Sequence, residues 1–168
     1  MIKVTVWNEY IEEKMYDHVA KVYPEGIHTC ISNFLSKDKE IQVKCVTLSM
    51  PEQGLSKEIL DDTDVLIWWG HQAHDDVTDE NAERVKKYVL NGMGFIPLHS
   101  AHGCKPVKLL LGTSMCLRWK HGEKEKLVCV NPSHPIAQGI TEPILFEQEE
   151  MYGEYFDKIK LIRVFLED

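Results

Sequence analysis

The sequence predicts an α/β protein with a three-layer, doubly wound and mainly parallel sheet. Short apolar runs of strand length alternate with segments of helical spacing. One run, 64–69, is almost continuously apolar, which is typical of a central parallel strand covered by helices on both faces. At 168 residues the chain has the length of one ordinary domain, which can bury roughly 70% of its unfolded surface. We therefore expect a single domain over residues 1–168.

The elements alternate regularly along the N-terminal part of the chain. The predicted strands are 2–7, 41–48, 64–69 and 94–98. The segments with helical spacing are 12–23, where the pattern is weak, and 26–36, 55–60 and 79–90. A β-α-β-α-β-α-β order requires right-handed crossovers and therefore a parallel sheet.

The pattern weakens after residue 98. We expect a short helix over 107–111 and a short turn of helix over 136–139, with His134 either exposed or capping the latter. The remaining predicted strands are 126–130, 143–146 and 159–165.

Charge and composition exclude several classes of protein. The formal net charge of −8 gives little attraction for a phosphate backbone, so nucleic acid is not an expected partner. The chain starts with a strand pattern, and no stretch approaches the ~20 apolar residues that span a bilayer. Five widely spaced cysteines without a C-x-x-C pair fit reduced thiols. We expect a cytoplasmic protein with no membrane partner.

Nucleotide-binding signatures are missing from the sequence. It contains no P-loop, and no G-x-G-x-x-G follows the first strand. We therefore expect no nucleotide cofactor.

Polar side chains follow three of the predicted strands. Asn8 and Glu9 come after the first strand, the segment 71–74 after the third, and the segment 99–102 after the fourth. His28 lies in the first turn of the first main helix. The carboxyl ends of parallel strands and the amino ends of their helices share one edge of the sheet, so these groups are expected to converge there. Imidazole is a common metal ligand and acid/base group, so the cluster predicts a chemical site.

Three interpretations of the histidines remain open. Imidazoles could hold a divalent ion such as zinc or manganese and leave one position open. They could instead form a metal-free catalytic or sugar-binding cluster, or they could be structural and bond to backbone groups. The H-x-x-H spacing on a loop lacks the helical geometry of a metalloprotease. The predicted metal ligands are His28, His71, His74, His99 and His102.

Two side chains that could act as nucleophiles follow the predicted fourth strand. Ser100 resembles a nucleophile at a strand-to-helix turn, but its flanks lack the glycines of G-x-S-x-G, and a helix N-cap is the alternative role. For Cys104, a buried thiol is favoured over a nucleophile.

Carboxylates and aromatic side chains alternate near the C-terminus. Glu149 and Glu150 precede Tyr152, and such carboxylates serve as acid/base pairs, as metal ligands or simply as a solvated face. The aromatic neighbours favour a sugar-binding edge. Trp68 and Trp69 point to opposite faces of their strand, so at least one is expected in the core.

Several ordered blocks together carry a family resemblance. They are Val6-Trp7-Asn8-Glu9, Tyr23-Pro24-Glu25-Gly26-Ile27-His28, Trp68-Trp69-Gly70-His71-Gln72-Ala73-His74, Leu98-His99-Ser100-Ala101-His102, Leu111-Gly112-Thr113-Ser114, His134-Pro135-Ile136-Ala137 and Glu149-Glu150-Met151-Tyr152-Gly153-Glu154. From residue 1 to about 157 the chain resembles the ThuA-like trehalose utilisation family.

The resemblance implies a flavodoxin-like fold, similar to that of class I glutamine amidotransferases, and a link to disaccharide catabolism in bacteria. It does not imply amidotransfer, because the family lacks the cysteine elbow and His99-Ser100 occupies the comparable strand end. Isomerisation or hydrolysis of an oxidised, 3-keto disaccharide is the candidate reaction.

The resulting hypothesis is an enzyme that acts on trehalose or a 3-keto derivative. The predicted catalytic residues are Glu9, His99, Ser100, Glu149 and Glu150, and the predicted substrate contacts are Asn8, Trp69 and Tyr152. The alternative is a non-catalytic sugar-binding or regulatory protein with the same pocket.

The resemblance also bears on the end of the chain. Members of the family continue beyond the length of this sequence, so we expect residues 1–168 to lack a C-terminal part. A sheet edge that is normally covered would then be free to pair with a second copy, which predicts a homo-oligomer.

Overall fold

The computed structural model describes residues 1–154, and these form two compact units. The first unit runs over Met1–Met115, and the second begins at Cys116. Each unit is described by itself below. The expectation of a single domain over 1–168 stays a prediction.

A four-stranded parallel sheet forms the centre of the first unit, with the strand order β2-β1-β3-β4. Its strands are β1 Ile2–Asn8, β2 Ile41–Thr47, β3 Val65–Trp69 and β4 Gly94–Pro97. The predicted α/β class and parallel pairing are confirmed.

Helices connect these strands and follow the last of them. They are α1 Glu12–Met15, α2 Asp17–Val22, α3 Ile27–Leu35, α4 Lys57–Asp61, α5 Asp79–Leu90 and α6 Lys105–Leu111, with 3-10 turns at Pro51–Gly54, His74–Asp76 and His99–Gly103. The helix α5 has its predicted bounds. The helix α4 begins later than expected because the Ser56 hydroxyl caps it by accepting from the Ile59 N–H at 3.3 Å. The helix α6 begins earlier than expected, since Pro106 is compatible with a first helical turn.

Apolar side chains cover both faces of the sheet. On one face, Trp7 and Trp68 stack with their ring centroids 3.8 Å apart, within a cluster that includes Val85 of α5. On the other face, Val6 and Ile67 lie in a second cluster against α3. Helices therefore flank the sheet in three layers, which is consistent with a flavodoxin-like fold.

The second unit contains an antiparallel pair, β5 Leu117–Leu127 and β6 Ile144–Glu154. The predicted strand over 126–130 was wrong: β5 begins at Leu117, well before residue 126, and ends at Leu127. The predicted strand over 143–146 is only the start of β6. Both strands are largely exposed, so they carry many charged residues and little of the period-two apolar pattern that marks a buried strand.

The predicted cap before residue 136 is confirmed. His134 Nδ1 accepts from the Ile136 N–H at 3.2 Å and begins a 3-10 turn over Pro135–Ala137. The predicted strand over 159–165 lies outside the described residues.

Within residues 1–154, no helix is long and apolar enough to cross a bilayer.

Candidate functional site

Asn8 ends β1 and is completely buried. Its Oδ1 accepts from the Tyr10 N–H at 2.9 Å, which fixes the orientation of the amide. Its Nδ2 then donates to Glu13 Oε1 at 2.8 Å and to His28 Nδ1 at 2.9 Å. Asn8 therefore ties the end of β1 to the starts of α1 and α3.

His28 lies in the first turn of α3, as predicted, and is buried. Because Asn8 donates to Nδ1, that nitrogen carries no proton and Nε2 carries the hydrogen of the neutral ring. Burial lowers the pKa of His28, and the Glu13 carboxylate opposes this effect. The Tyr10 ring meets the imidazole edge-on, with the centroids 4.8 Å apart.

Glu9 is 3% exposed and holds the loop that follows β3. Its carboxylate accepts from the Gln72 N–H at 3.0 Å and from the Ala73 N–H at 3.0 Å. Its own N–H donates to the Trp69 carbonyl at 3.2 Å. Two backbone donors satisfy a buried carboxylate well, and they fix the backbone that leads to His74.

His74 fits between the loops after β3 and β4. A Cβ at Gly103 would lie 3.0 Å from both Cδ2 and Nε2 of the ring, and a Cβ at Gly70 would lie 3.5 Å from Nδ1. Glycine at 103 therefore leaves the space that the ring occupies. Burial lowers the pKa of His74, and the Glu9 carboxylate works in the opposite direction.

His71 and Gln72 lie on the exposed rim of this loop. His71 Nδ1 is 2.9 Å from Glu12 Oε1, and Gln72 Nε2 donates to the same oxygen at 2.7 Å. The contact is an ion pair when His71 is protonated.

The segment after β4 is a 3-10 turn over His99–Gly103. His99 has φ +47°, a left-handed backbone that costs about 1–3 kcal/mol in a residue with a side chain. Its imidazole is 6.1 Å from the Trp69 ring between centroids, at an interplanar angle of 30°. His102 Nδ1 lies 3.3 Å from the His99 carbonyl. Strained backbone of this kind clusters at functional sites.

The structure gives Ser100 and Cys104 specific places. The Ser100 hydroxyl donates to the Gly70 carbonyl at 2.9 Å and so links the loops after β4 and β3. The alternative of Ser100 as helix N-cap was wrong, because Cys104 occupies that position before α6. Cys104 is fully buried as expected, and burial raises the pKa of its thiol to about 11, which is incompatible with a nucleophilic thiolate.

The two tryptophans of β3 point to opposite faces, as predicted. Trp68 is fully buried against Trp7, whereas Trp69 is half-buried and faces His99. The buried Nε1 of Trp68 has no hydrogen-bond partner among residues 1–154.

Glu149, Glu150 and Tyr152 lie on β6 in the second unit. The Tyr152 hydroxyl donates to Glu150 Oε2, and His121 Nδ1 is 2.9 Å from Glu150 Oε1. Their participation in a common site with Glu9 and His99 stays a prediction.

The predicted metal ligands do not form a complete set in the described part of the chain. No three His, Cys, Asp or Glu side chains of residues 1–154 are arranged to hold a metal ion. Among the predicted ligands, His28 Nδ1 faces Asn8 and His71 Nδ1 faces Glu12. Zinc or manganese binding stays a prediction, and no chemical step is derived from an ion.

Sequence reasoning missed several residues that build the site. They are Glu12, Glu13, Gly70 and Gly103. The two glycines stand inside or next to the histidine motifs, so their position was a usable signal. The glutamates follow Glu9 in a weakly helical segment, and nothing in their spacing marks them as partners of distant side chains.

The first unit is thus an α/β fold in which separate contacts lie at the carboxyl ends of parallel strands: Asn8 bonds to His28, Glu9 bonds to the loop after β3, and Trp69 faces His99. The chain matches the ThuA family, described as trehalose utilisation, over residues 3–167. It belongs to that family, and family membership supports a role in trehalose utilisation. The family resemblance read from the sequence motifs is confirmed. A comparison with curated proteins found no individual match.

Proposed function

We propose that this protein is an enzyme of disaccharide catabolism that acts on trehalose or on a 3-keto derivative. The observation that carries the proposal is a set of direct contacts between the ends of β1, β3 and β4. Glu9 accepts from the backbone after β3, and Ser100 donates to Gly70. These contacts hold histidines from both loops around one edge of the sheet, where ligands bind in open α/β folds.

The exposed residues of this edge suit a sugar. Trp69 and His99 offer flat rings, and apolar ring faces pack well against the C–H faces of a pyranose. His71, His74 and His102 can donate to or accept from hydroxyl groups, depending on their protonation. Such a surface favours a small polar molecule over a macromolecule.

His99 is the residue we assign as acid/base catalyst. It is exposed, its backbone is held in a left-handed conformation, and imidazole is the side chain that most often serves as a general acid or base. Glu9 stays a predicted acid/base residue, but its two amide contacts also give it a part in holding the loop.

The experiment is to incubate the protein with trehalose and with 3-keto-trehalose and to follow the products by mass spectrometry. We expect conversion of one of them, and we expect His99→Asn to lower the rate by at least about 100-fold, the usual scale for a lost acid/base group. His18→Asn, on the exposed surface of α2, is the matched control and keeps the wild-type rate. No conversion of either sugar contradicts the proposal.

The alternative, a non-catalytic sugar-binding protein, is favoured by one observation. The side chains of Asn8, Glu9 and Ser100 are all engaged within the protein, which fits a rigid binding surface. Sugar binding in calorimetry without any product in the assay above would support this alternative over the enzyme.

Metal content tests the predicted ion separately. Stoichiometric zinc or manganese, removed by a chelator with loss of turnover, would support a metal enzyme. Turnover that is unchanged after chelation and dialysis would contradict the metal prediction.

A further inference from the structure

Three polar atoms lie close to the α-carbon of the buried Gly70, on the side where another residue would carry its Cβ. The point at which a Cβ of residue 70 would lie is 3.3 Å from Glu9 Oε2, 3.3 Å from Trp68 Nε1 and 3.5 Å from His74 Nδ1. One is a carboxylate oxygen, one an indole N–H and one an imidazole nitrogen. They come from the residue that follows β1, from β3 and from the 3-10 turn after β3.

The indole donor has no acceptor in the described residues. Trp68 is fully buried, and its Nε1 hydrogen has no partner within residues 1–154. Folded proteins pair nearly all buried donors with protein or ordered water, because an unpaired one retains its full desolvation cost. The buried indole N–H therefore needs a hydrogen-bond acceptor that the side chains and backbone of residues 1–154 do not supply.

The absence of a side chain at residue 70 keeps the surroundings of these three polar atoms free of crowding. Gly70 is not among the glycines with positive φ, so its backbone conformation is open to any residue. A side chain there would instead crowd the three polar atoms, at distances tighter than or near ordinary contact.

We propose that a single buried water molecule binds beside Gly70 and bridges Trp68 Nε1, Glu9 Oε2 and His74 Nδ1. The water accepts from the indole N–H and donates one hydrogen to the carboxylate and one to the imidazole. Buried waters make about three hydrogen bonds, and one donor with two acceptors matches that capacity.

The burial of the position favours water over a sugar hydroxyl. Gly70 and Trp68 are buried, and Glu9 is 3% exposed, so a sugar ring has no access to the indole. A hydroxyl group also has only one hydrogen to donate, whereas two acceptors are present.

The bridge has a consequence for His74. A water that donates to Nδ1 requires this nitrogen to be unprotonated, which leaves the hydrogen of the neutral ring on Nε2. The burial that lowers the pKa of His74 acts in the same direction. The water would link the buried Glu9 to a histidine at the rim whether or not the rim performs catalysis, so this inference does not rest on the enzymatic function.

The direct test is a high-resolution crystal structure of the full chain. We expect one ordered water within hydrogen-bond distance of all three atoms. Absence of density at that position, or a protein atom in its place, would overturn the proposal.

A test in solution uses the magnetisation transfer between the Trp68 indole hydrogen and water in nuclear magnetic resonance spectra. We expect a cross-peak from a long-lived water in the wild type and its loss in Gly70→Ala, whose Cβ would crowd the three polar atoms and leave no room for the water between them. Gly94→Ala is the matched control, because Gly94 also lacks a positive φ and its Cβ would meet a side-chain carbon of Val65 at 3.1 Å. We expect the cross-peak to persist in this control. A wild type without the cross-peak, or a Gly70→Ala variant that retains it, would contradict the proposal.

Discussion

Burial disfavours the protonated form of both His28 and His74. For both, burial is the main cause of a lowered pKa, and a nearby carboxylate only partly offsets it. His28 also receives a hydrogen bond from Asn8 at Nδ1, which a protonated ring would lose. Neutral imidazoles can both donate and accept, so this state suits hydroxyl recognition at the sheet edge.

The lowered pKa values predict how stability depends on pH. Well above about pH 6.5 these rings are neutral in both the folded and the unfolded chain, so they do not oppose folding. Below that pH the unfolded chain binds protons that the folded chain excludes. The free energy of unfolding should then fall with decreasing pH, by at most about 1.4 kcal/mol per pH unit for each histidine.

Urea denaturation at about pH 7.5 and about pH 5.5 measures this dependence. These pH values lie about one unit above and one unit below the ordinary pKa of histidine. His74→Gln should flatten the curve, whereas His18→Gln on exposed α2 should leave it unchanged. An unchanged slope in His74→Gln would show that burial does not keep His74 neutral.

Glu9→Gln tests the carboxylate that holds the loop after β3. The amide keeps one acceptor oxygen but places an NH₂ group against a backbone N–H. We expect a loss of about 1–3 kcal/mol in the free energy of unfolding, the cost of an unsatisfied buried group. The exposed Glu58→Gln on α4 is the control. Equal stability of the two variants would contradict the role of Glu9 in the loop.

The loops after β3 and β4 are held by each other. Ser100 donates to the Gly70 carbonyl, and the His74 ring lies against Gly103. The strained residue His99 begins the second of these loops, directly before the Ser100 contact. Contacts between the loops therefore support a backbone conformation that an isolated loop would not retain.

Gly103→Ala should break this packing. The new Cβ would lie 3.0 Å from two atoms of the His74 ring, and overpacking of this kind costs about 1–3 kcal/mol. The same substitution in a His74→Ala background should cost much less, because the opposing ring is gone. A double-mutant cycle of unfolding free energies measures the difference. An equal cost in both backgrounds would exclude the His74 contact as the cause.

The alternating part of the chain was predictable because its strands are buried and its helices amphipathic. The helix over 79–90 and the strands that follow one another in β-α order show this directly. The bounds of β5 and β6 were not predictable, because exposed strands do not need an apolar face and so lack the alternating pattern. Strand-end logic also identified His28, Glu9 and His74 as neighbours of one edge. The same reasoning could not identify Glu13 or Gly103, since their contacts depend on the three-dimensional packing of loops that are distant in sequence.

Among residues 1–154, β4 is an edge strand of the four-stranded sheet, and Ile96 on this strand is 47% exposed. An exposed strand edge can pair with another copy of the chain. We therefore predict a homo-oligomer in analytical ultracentrifugation and a shift to monomer for Ile96→Lys, with Ile136→Lys in the second unit as an exposed control. A wild type that sediments as a monomer at all concentrations would contradict this prediction.

The central claim is that residues from three strand ends and one helix start form a single sugar-binding edge. It is tested most directly by titrating the full chain with trehalose and with 3-keto-trehalose while the histidine ring signals are followed by nuclear magnetic resonance. We predict shifts at His28, His71, His74, His99 and His102 with a common binding curve, and unchanged signals for His18 and His134. Shifts confined to His18 or His134, or no shift with either sugar, would contradict the claim.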